Sequence, residues 1–196
     1  MKQLSKKWKI FIITIVVLIG SFYGYYKINN RNAFEEMYNS YFNVLPLSAI
    51  DNMGQIKPIR RDDQGFDVKR LYYKRKVNDS DIGIFLINFN NKKKIYLISS
   101  TLIAEGVYLE INYLYNMDNH ELRNTVTFRG ENVPRADENK QKRELLEKYN
   151  ISKEYLQEKS DELLNTVLTD WKRYSGSSYS KDNMGRLTIE KDEILR

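Results

Sequence analysis

The chain has no cysteine, one histidine, three prolines and nine glycines dispersed among turns. Without cysteine there is no disulfide framework and no lipobox for a lipid anchor. The lone histidine, His120 in "NMDNHEL", rules out a His-based zinc site and reads as a solvated surface residue. Neither a Cys–His pair nor a Ser–His–Asp assembly has sequence support, and no Gly-rich loop is present to cradle a phosphate. The carboxylate pairs Asp62–Asp63 and Asp118 with Glu121 fall in or near loops. Asp79 and Asp81 in "DSDIG" lack the later glycine and bidentate glutamate of a calcium loop, so that stretch reads as a hairpin turn. No catalytic group, metal site or cofactor is assigned.

Acidic residues are also missing from the start of the chain, where "KKWKIFIITIVVLIGSFYGYYKINNR" holds 17 uncharged residues between Lys9 and Lys27. As a helix that run spans about 26 Å, enough to cross a bilayer if the flanking lysines snorkel. Its most apolar part, Ile10 to Gly20, also has the length of a signal peptide, so length alone does not decide. A cleavage site needs small residues at −3 and −1, and no alanine occurs before Ala33. Trp8 at one end and Tyr23, Tyr25 and Tyr26 at the other suit the headgroup level, so the run is expected to be a retained anchor. Lys2, Lys6, Lys7 and Lys9 precede it, against Lys27 and Arg31 after it, which favours a cytoplasmic N-terminus. The expected organisation is a cytoplasmic tail over 1–9, an anchor over 10–26 and an extracellular domain over 27–196. The net charge of +6 does not mark a nucleic-acid binder. Five of the 32 basic side chains lie in residues 1–27, leaving 27 against 26 acidic ones. An exported domain without cysteine suits a bacterial envelope.

The remainder is one domain in length and shows no internal repeat. Asn32 and Glu35 form a capping box for "AFEEMYNSYF", on which Phe34, Met37, Tyr38, Tyr41 and Phe42 share an apolar face. Residues 44–65 read as loop, with Pro46, Gly54, Pro58 and Gly65 as breakers. "FDVKRLYYKRKV", "IGIFLINF", "KKIYLISSTLIA", "GVYLEINYLYN" and "ELRNTVTFR" each fit a strand, with Asn90–Asn91 and Glu105–Gly106 as tight turns. Two helical stretches follow, the second opened by Ser152 and carrying Leu156, Leu163, Val167 and Trp171. "SGSSYSKDNMG" reads as a flexible loop, and "RLTIEKDEIL" as a last strand. The expected fold class is α+β: an antiparallel meander sheet with helices packed on one face, preceded by one transmembrane helix.

Alternation places Tyr108, Glu110 and Asn112 opposite Val107, Leu109, Ile111 and Tyr113. It likewise sends Arg123, Thr125, Thr127 and Arg129 away from Leu122, Val126 and Phe128, and sets Arg70, Tyr72, Lys74 and Lys76 on one side of their strand. An ordinary solvated face accounts for this pattern. A protein-binding surface accounts for it too, because tyrosine and arginine are over-used as interface anchors. On that second reading the candidate partner-binding residues are Arg70, Tyr72, Lys74, Tyr108, Glu110, Asn112, Arg123 and Arg129.

The outline resembles the TipC family of immunity proteins from Gram-positive bacteria. The likeness rests on the N-terminal anchor, the aromatic-acidic helix "AFEEMYNSYF", the Tyr-rich strands and the ending "WKRYSGSSYSKDNMGRLTIE", with Trp171, Ser180, Asp182, Asn183 and Gly185 matching best. The resemblance implies a non-enzymatic protein that faces outward from the cell membrane. It would bind and neutralise a cognate LXG-type toxin, similar to TelC, exported by a type VII secretion system and acting on lipid II. The alternative is a bitopic structural component of a cell-envelope or secretion machine, and a weaker third reading is an anchored cell-wall hydrolase.

Overall fold

The uncharged run forms helix α1 (Lys6–Asn29), extended at both ends because its flanking lysines and tyrosines continue the helix without a breaker. In this computed structural model, residues 6–43, 73–89, 92–131, 133 and 139–196 are described. Helix α1 is 24 residues long and buries none of them; its apolar window reaches a mean hydropathy of 1.7. Such a helix, about 36 Å in length, fits a single-pass membrane anchor.

Helix α2 (Ala33–Asn43) starts where the capping box places it. Asn32 Oδ1 accepts from the backbone N–H groups of Phe34 and Glu35, each at 3.0 Å, while a Glu35 carboxylate oxygen reaches back to the N–H of Arg31 at 2.8 Å. Three donors at the helix start are thereby satisfied. Ala33, Phe34, Met37 and Tyr38 are buried.

The strands follow the period-2 pattern closely. They are β1 (Tyr73–Val77), β2 (Ser80–Phe89), β3 (Lys92–Ala104), β4 (Val107–Asn116) and β5 (Glu121–Gly130), each antiparallel to the next. The β3–β4 hairpin turns at Glu105–Gly106, where Gly106 has φ +67°. The start of the first expected strand, the loop over 44–65 and the Asn90–Asn91 turn lie outside the described residues. So do Arg70 and Tyr72.

The sheet departs from a pure meander at its far edge. Strand β6 (Thr188–Lys191) joins β5 in parallel, making a six-stranded mixed sheet in the order β1 to β6. A parallel neighbour requires a crossover, and helices α3 (Asn139–Lys148) and α4 (Lys153–Ser175) supply it. Ser152 caps α4 by accepting from Tyr155 N–H at 3.1 Å, and Gly176 ends it at φ +69°.

The core lies between the helices and one face of the sheet. Leu156, Leu163, Leu164, Val167, Leu168 and Trp171 of α4 meet inward residues including Leu97, Leu109, Ile111 and Val126. Phe34 of α2 stacks on Tyr115 of β4, ring centroids 5.1 Å apart, so α2 covers the same face. Beneath α4, Asn124 donates to Tyr113 Oη at 3.0 Å and to Ser160 Oγ at 3.3 Å, which lets a polar side chain occupy an inward position.

The segment "SGSSYSKDNMG" is ordered rather than flexible. Ser180 and Asn183 form an antiparallel bridge, and the buried Tyr179 donates its hydroxyl to the carbonyl of Asn30 at 2.8 Å. Gly185 then pairs with Asn32 at φ +93°, so close that a Cβ at Gly185 would stand 2.4 Å from the Arg31 carbonyl oxygen. Glycine is required there, and it fastens the C-terminal loop to the foot of α1.

Candidate functional site

The second face of the sheet carries no described helix. Cross-strand register lays the side chains out in rows. One row runs Leu102, Tyr108, Arg129; the next runs Lys76, Asp81, Ser100, Glu110, Thr127; a third runs Lys74, Gly83, Ile98, Asn112, Thr125; a fourth runs Phe85, Tyr96, Leu114, Arg123. Tyr108, Glu110, Asn112, Arg123 and Arg129 therefore share one face, and Lys74 joins it by register. Burial follows the same alternation, with Ile95, Leu97, Ser99 and Thr101 of β3 buried and Leu102 exposed.

These residues are organised by contacts among themselves. Arg129 Nε donates to Glu110 at 2.7 Å, and its guanidinium carbon lies 5.2 Å from the centre of the Tyr108 ring. The Arg129 side chain is nonetheless 65% exposed and Glu110 only 13%. Arg123 Nε donates to Glu190 of β6 at 2.8 Å and its Nη2 to Glu121 at 3.1 Å, so the parallel edge strand positions it.

Asn112 differs from the solvent-facing role that alternation suggests. It is buried, its Oδ1 accepts from the Tyr96 hydroxyl at 2.6 Å, and its Nδ2 donates to Thr127 Oγ1 at 3.0 Å. Tyr96 covers it, because an aromatic ring reaches a diagonal neighbour across the pleat. Burial, with the nearby Glu110 charge, pushes the Tyr96 hydroxyl up to about 12, so it remains a donor at neutral pH. Phe85 extends the aromatic surface, its ring centroid 6.0 Å from that of Tyr96. Tyr96, Phe85 and Leu102 were not singled out by sequence. "KKIYLISSTLIA" is apolar at alternate positions of both faces, so its outward members carry no distinctive signal.

A second cluster stands where α1 meets the domain. Buried Glu35 accepts from Arg31 N–H, from Asn32 Nδ2 at 3.2 Å and from the Tyr115 hydroxyl at 3.0 Å, and lies 2.9 Å from His120 Nδ1. His120 is thus only partly solvated: its side chain is 35% exposed, and its Nε2 is 3.2 Å from Arg31 Nη1. It occupies φ +56° at the end of the β4–β5 turn, which aims the ring back onto the domain. The neighbouring Glu36 accepts from Trp171 Nε1 at 2.9 Å and from the hydroxyls of Ser177 and Tyr26. Every one of these acidic contacts is used within the fold, which marks the cluster as architecture. Among the described residues no group of three or more His, Asp or Glu side chains could hold a metal ion.

No curated protein matches the chain. Among solved structures, that of TipC2 from Streptococcus intermedius B196 is similar, with a TM-score of 0.68 and 21% identity over 83% of this chain and 96% of that one. This likeness establishes the α+β fold. The model of the TipC immunity protein-like family matches residues 6–192, from the first described turn of α1 through β6. The chain belongs to the TipC immunity protein-like family.

Proposed function

We propose that the protein is a membrane-anchored, outward-facing immunity protein that neutralises a secreted LXG-type toxin by binding and occluding it. Family membership supports an immunity role with a protein toxin as partner, and α1 supports attachment to a membrane. The finer assignment, a type VII-exported toxin that acts on lipid II outside a Gram-positive cell, is the extension offered by the family resemblance. A domain over 27–196 outside and a tail over 1–9 inside is the arrangement this role demands. Inhibition by occlusion needs no turnover chemistry.

The observation that carries the reading is the sheet face, free of helices among the described residues, with Tyr108, Arg129 and Glu110 already in contact. Side chains fixed before encounter lose little entropy on docking, so a modest area suffices for tight binding. The tyrosines supply contact area that can be desolvated, while Arg123 and Arg129 set encounter rate and specificity.

Calorimetry with the cognate toxin tests the assignment. Tyr108→Ala and Arg123→Glu are each expected to weaken binding at least about tenfold, which corresponds to about 1.4 kcal/mol. Lys153→Glu, in the exposed first turn of α4, is expected to leave it unchanged. Parental affinity in both face variants, with circular dichroism unaltered, would move the interface off the sheet.

A further inference from the structure

The C-terminal end of α1 is lined by a concavity of about 500 Å³ whose walls are Lys27, Ile28, Asn30, Arg31, Tyr179 and Arg186. Among its described lining residues three are cations and none is acidic. The two arginines come together because their backbones pair: Arg186 N–H donates to the Arg31 carbonyl at 2.9 Å, directly beside the Asn32–Gly185 bridge. The glycine-only approach at Gly185 thus sets two guanidinium groups from opposite ends of the domain at the foot of the helix. Lys27 completes the arc from the last turn of α1, with its ammonium 5.8 Å from the ring centres of both Tyr23 and Tyr179.

The charge of this site is not consumed locally. Among the described residues the side chains of Lys27 and Arg186 form no ion pair, and both are exposed. Among the described residues the Arg31 side chain makes only a bond to the Ile28 carbonyl at 3.2 Å and its contact with His120. The nearest carboxylates, Glu35 and Glu36, are buried with their oxygens already accepting hydrogen bonds from within the fold. Elsewhere on the surface, arginines such as Arg123, Arg129 and Arg143 are paired with acids.

Position then selects the anion. Lys9 and Lys27 are separated by about 27 Å along α1, close to the hydrocarbon thickness of a bilayer, so with α1 inserted the site lies at headgroup depth. We propose that it binds the phosphate of an anionic lipid headgroup, with Lys27, Arg31 and Arg186 as its ligands. Planar guanidinium groups match phosphate oxygens in pairs, and the ring of Tyr179 forms an apolar wall beside them. Because α1 and the loop bearing Arg186 both contact the headgroup, binding would fix the tilt of the domain on the membrane. The inference rests on α1 being a membrane anchor, and holds for either direction of insertion.

The test uses the full-length protein carrying Ile28→p-benzoylphenylalanine, in nanodiscs of equal phosphatidylcholine and phosphatidylglycerol. Ile28 lines the site and is 68% exposed, so its photoadducts report the lipid held there. A cation at a membrane surface raises anionic-lipid affinity about fivefold. Phosphatidylglycerol adducts are therefore expected to exceed phosphatidylcholine adducts at least about fivefold, and Lys27→Gln, Arg31→Gln and Arg186→Gln together to return the ratio to the bulk composition. Lys27→Gln alone, which leaves the Arg186 loop untouched, is expected to remove part of the preference. A bulk ratio in the parent, or a preference that survives the triple variant, overturns the proposal. Adducts with neither lipid overturn the anchor reading and the proposal together. Millimolar glycerol 3-phosphate is expected to change nothing; if it erases the preference, the site takes soluble phosphate and the lipid assignment fails.

Discussion

The indole N–H of Trp171 donates to a carboxylate oxygen of Glu36 at 2.9 Å, joining residues 135 positions apart. Ser177 and Tyr26 donate to the same carboxylate, so Glu36 ties the end of α1, helix α2, the last turns of α4 and the loop beyond it. A buried charge is tolerable because three donors replace the water it has lost. The consequence is mechanical: the domain is fastened to α1 rather than tethered by a free linker.

Glu36→Ala is expected to destabilise the protein by about 3 kcal/mol or more, since it strands the indole N–H and two hydroxyls, each at a cost of about 1–3 kcal/mol when buried. Glu36→Gln keeps an acceptor and is expected to lose less. Urea unfolding followed by circular dichroism measures both, and an Ala variant as stable as the parent would show that the cluster does not hold the junction.

The pair Lys142–Asp192 ties α3 to the C-terminus at 2.8 Å, with both side chains under a tenth exposed. Burial alone would raise the Asp192 pKa, but Lys142 Nζ and the N–H groups of Val126 and Ile194 hold it below the ordinary carboxyl value. A depressed folded pKa contributes stability that is complete above the unfolded carboxyl value near pH 4 and is lost as pH falls through the folded one. Lys142→Ala is expected to cost about 3–5 kcal/mol at pH 7 by stranding a buried carboxylate. The gap to the parent should narrow once Asp192 is protonated in both, which a series of urea midpoints from neutral to acid pH reads directly.

Much of this architecture was legible because local chemistry and burial agree. Asn32 and Ser152 are caps whose acceptors are visible in sequence, and the strands β4 and β5 alternate cleanly enough to fix their faces. The parallel pairing of β6 was not legible, because four residues beginning at Thr188 carry no information about direction; the α3–α4 crossover decides it. The order of "SGSSYSKDNMG" was equally hidden, since Tyr179 and Gly185 acquire their roles only when Asn30 to Asn32 arrive beside them. On the sheet face, alternation placed Tyr108, Glu110, Arg123 and Arg129 together. It could not show that Asn112 is roofed by Tyr96, which depends on the diagonal reach of a ring.

Gly185→Ala is expected to disrupt the docking of the C-terminal loop on α1. The new methyl would meet the Arg31 carbonyl oxygen at 2.4 Å and Asn32 Cα at 2.7 Å, and the residue sits at φ +93°. Both contacts are with backbone, which cannot swing aside, so a loss well above about 1–2 kcal/mol is anticipated. Gly106→Ala offers the comparison. At φ +67° with open space around the Cβ it carries the conformational cost alone, and is expected to lose about 1 kcal/mol. Equal unfolding midpoints for the two variants would mean that the close approach at Gly185 contributes nothing.

The placement of charge along the chain predicts one direction of insertion. Before the apolar part of α1 stand Lys2, Lys6, Lys7 and Lys9, against Lys27 and Arg31 just beyond it. The end richer in lysine and arginine resists translocation, so the N-terminus is expected to stay in the cytoplasm and residues 28–196 to lie outside. An immunity protein that meets a toxin beyond the membrane requires that same arrangement. Protease added to intact protoplasts should therefore remove the domain and leave a membrane-embedded fragment that begins upstream of Ile10. Complete protection of the domain would reverse the topology and end the occlusion reading, because a cytoplasmic domain could not reach the toxin. A mature N-terminus between Ser21 and Asn30 would instead show that the segment is cleaved, leaving the domain outside without its anchor.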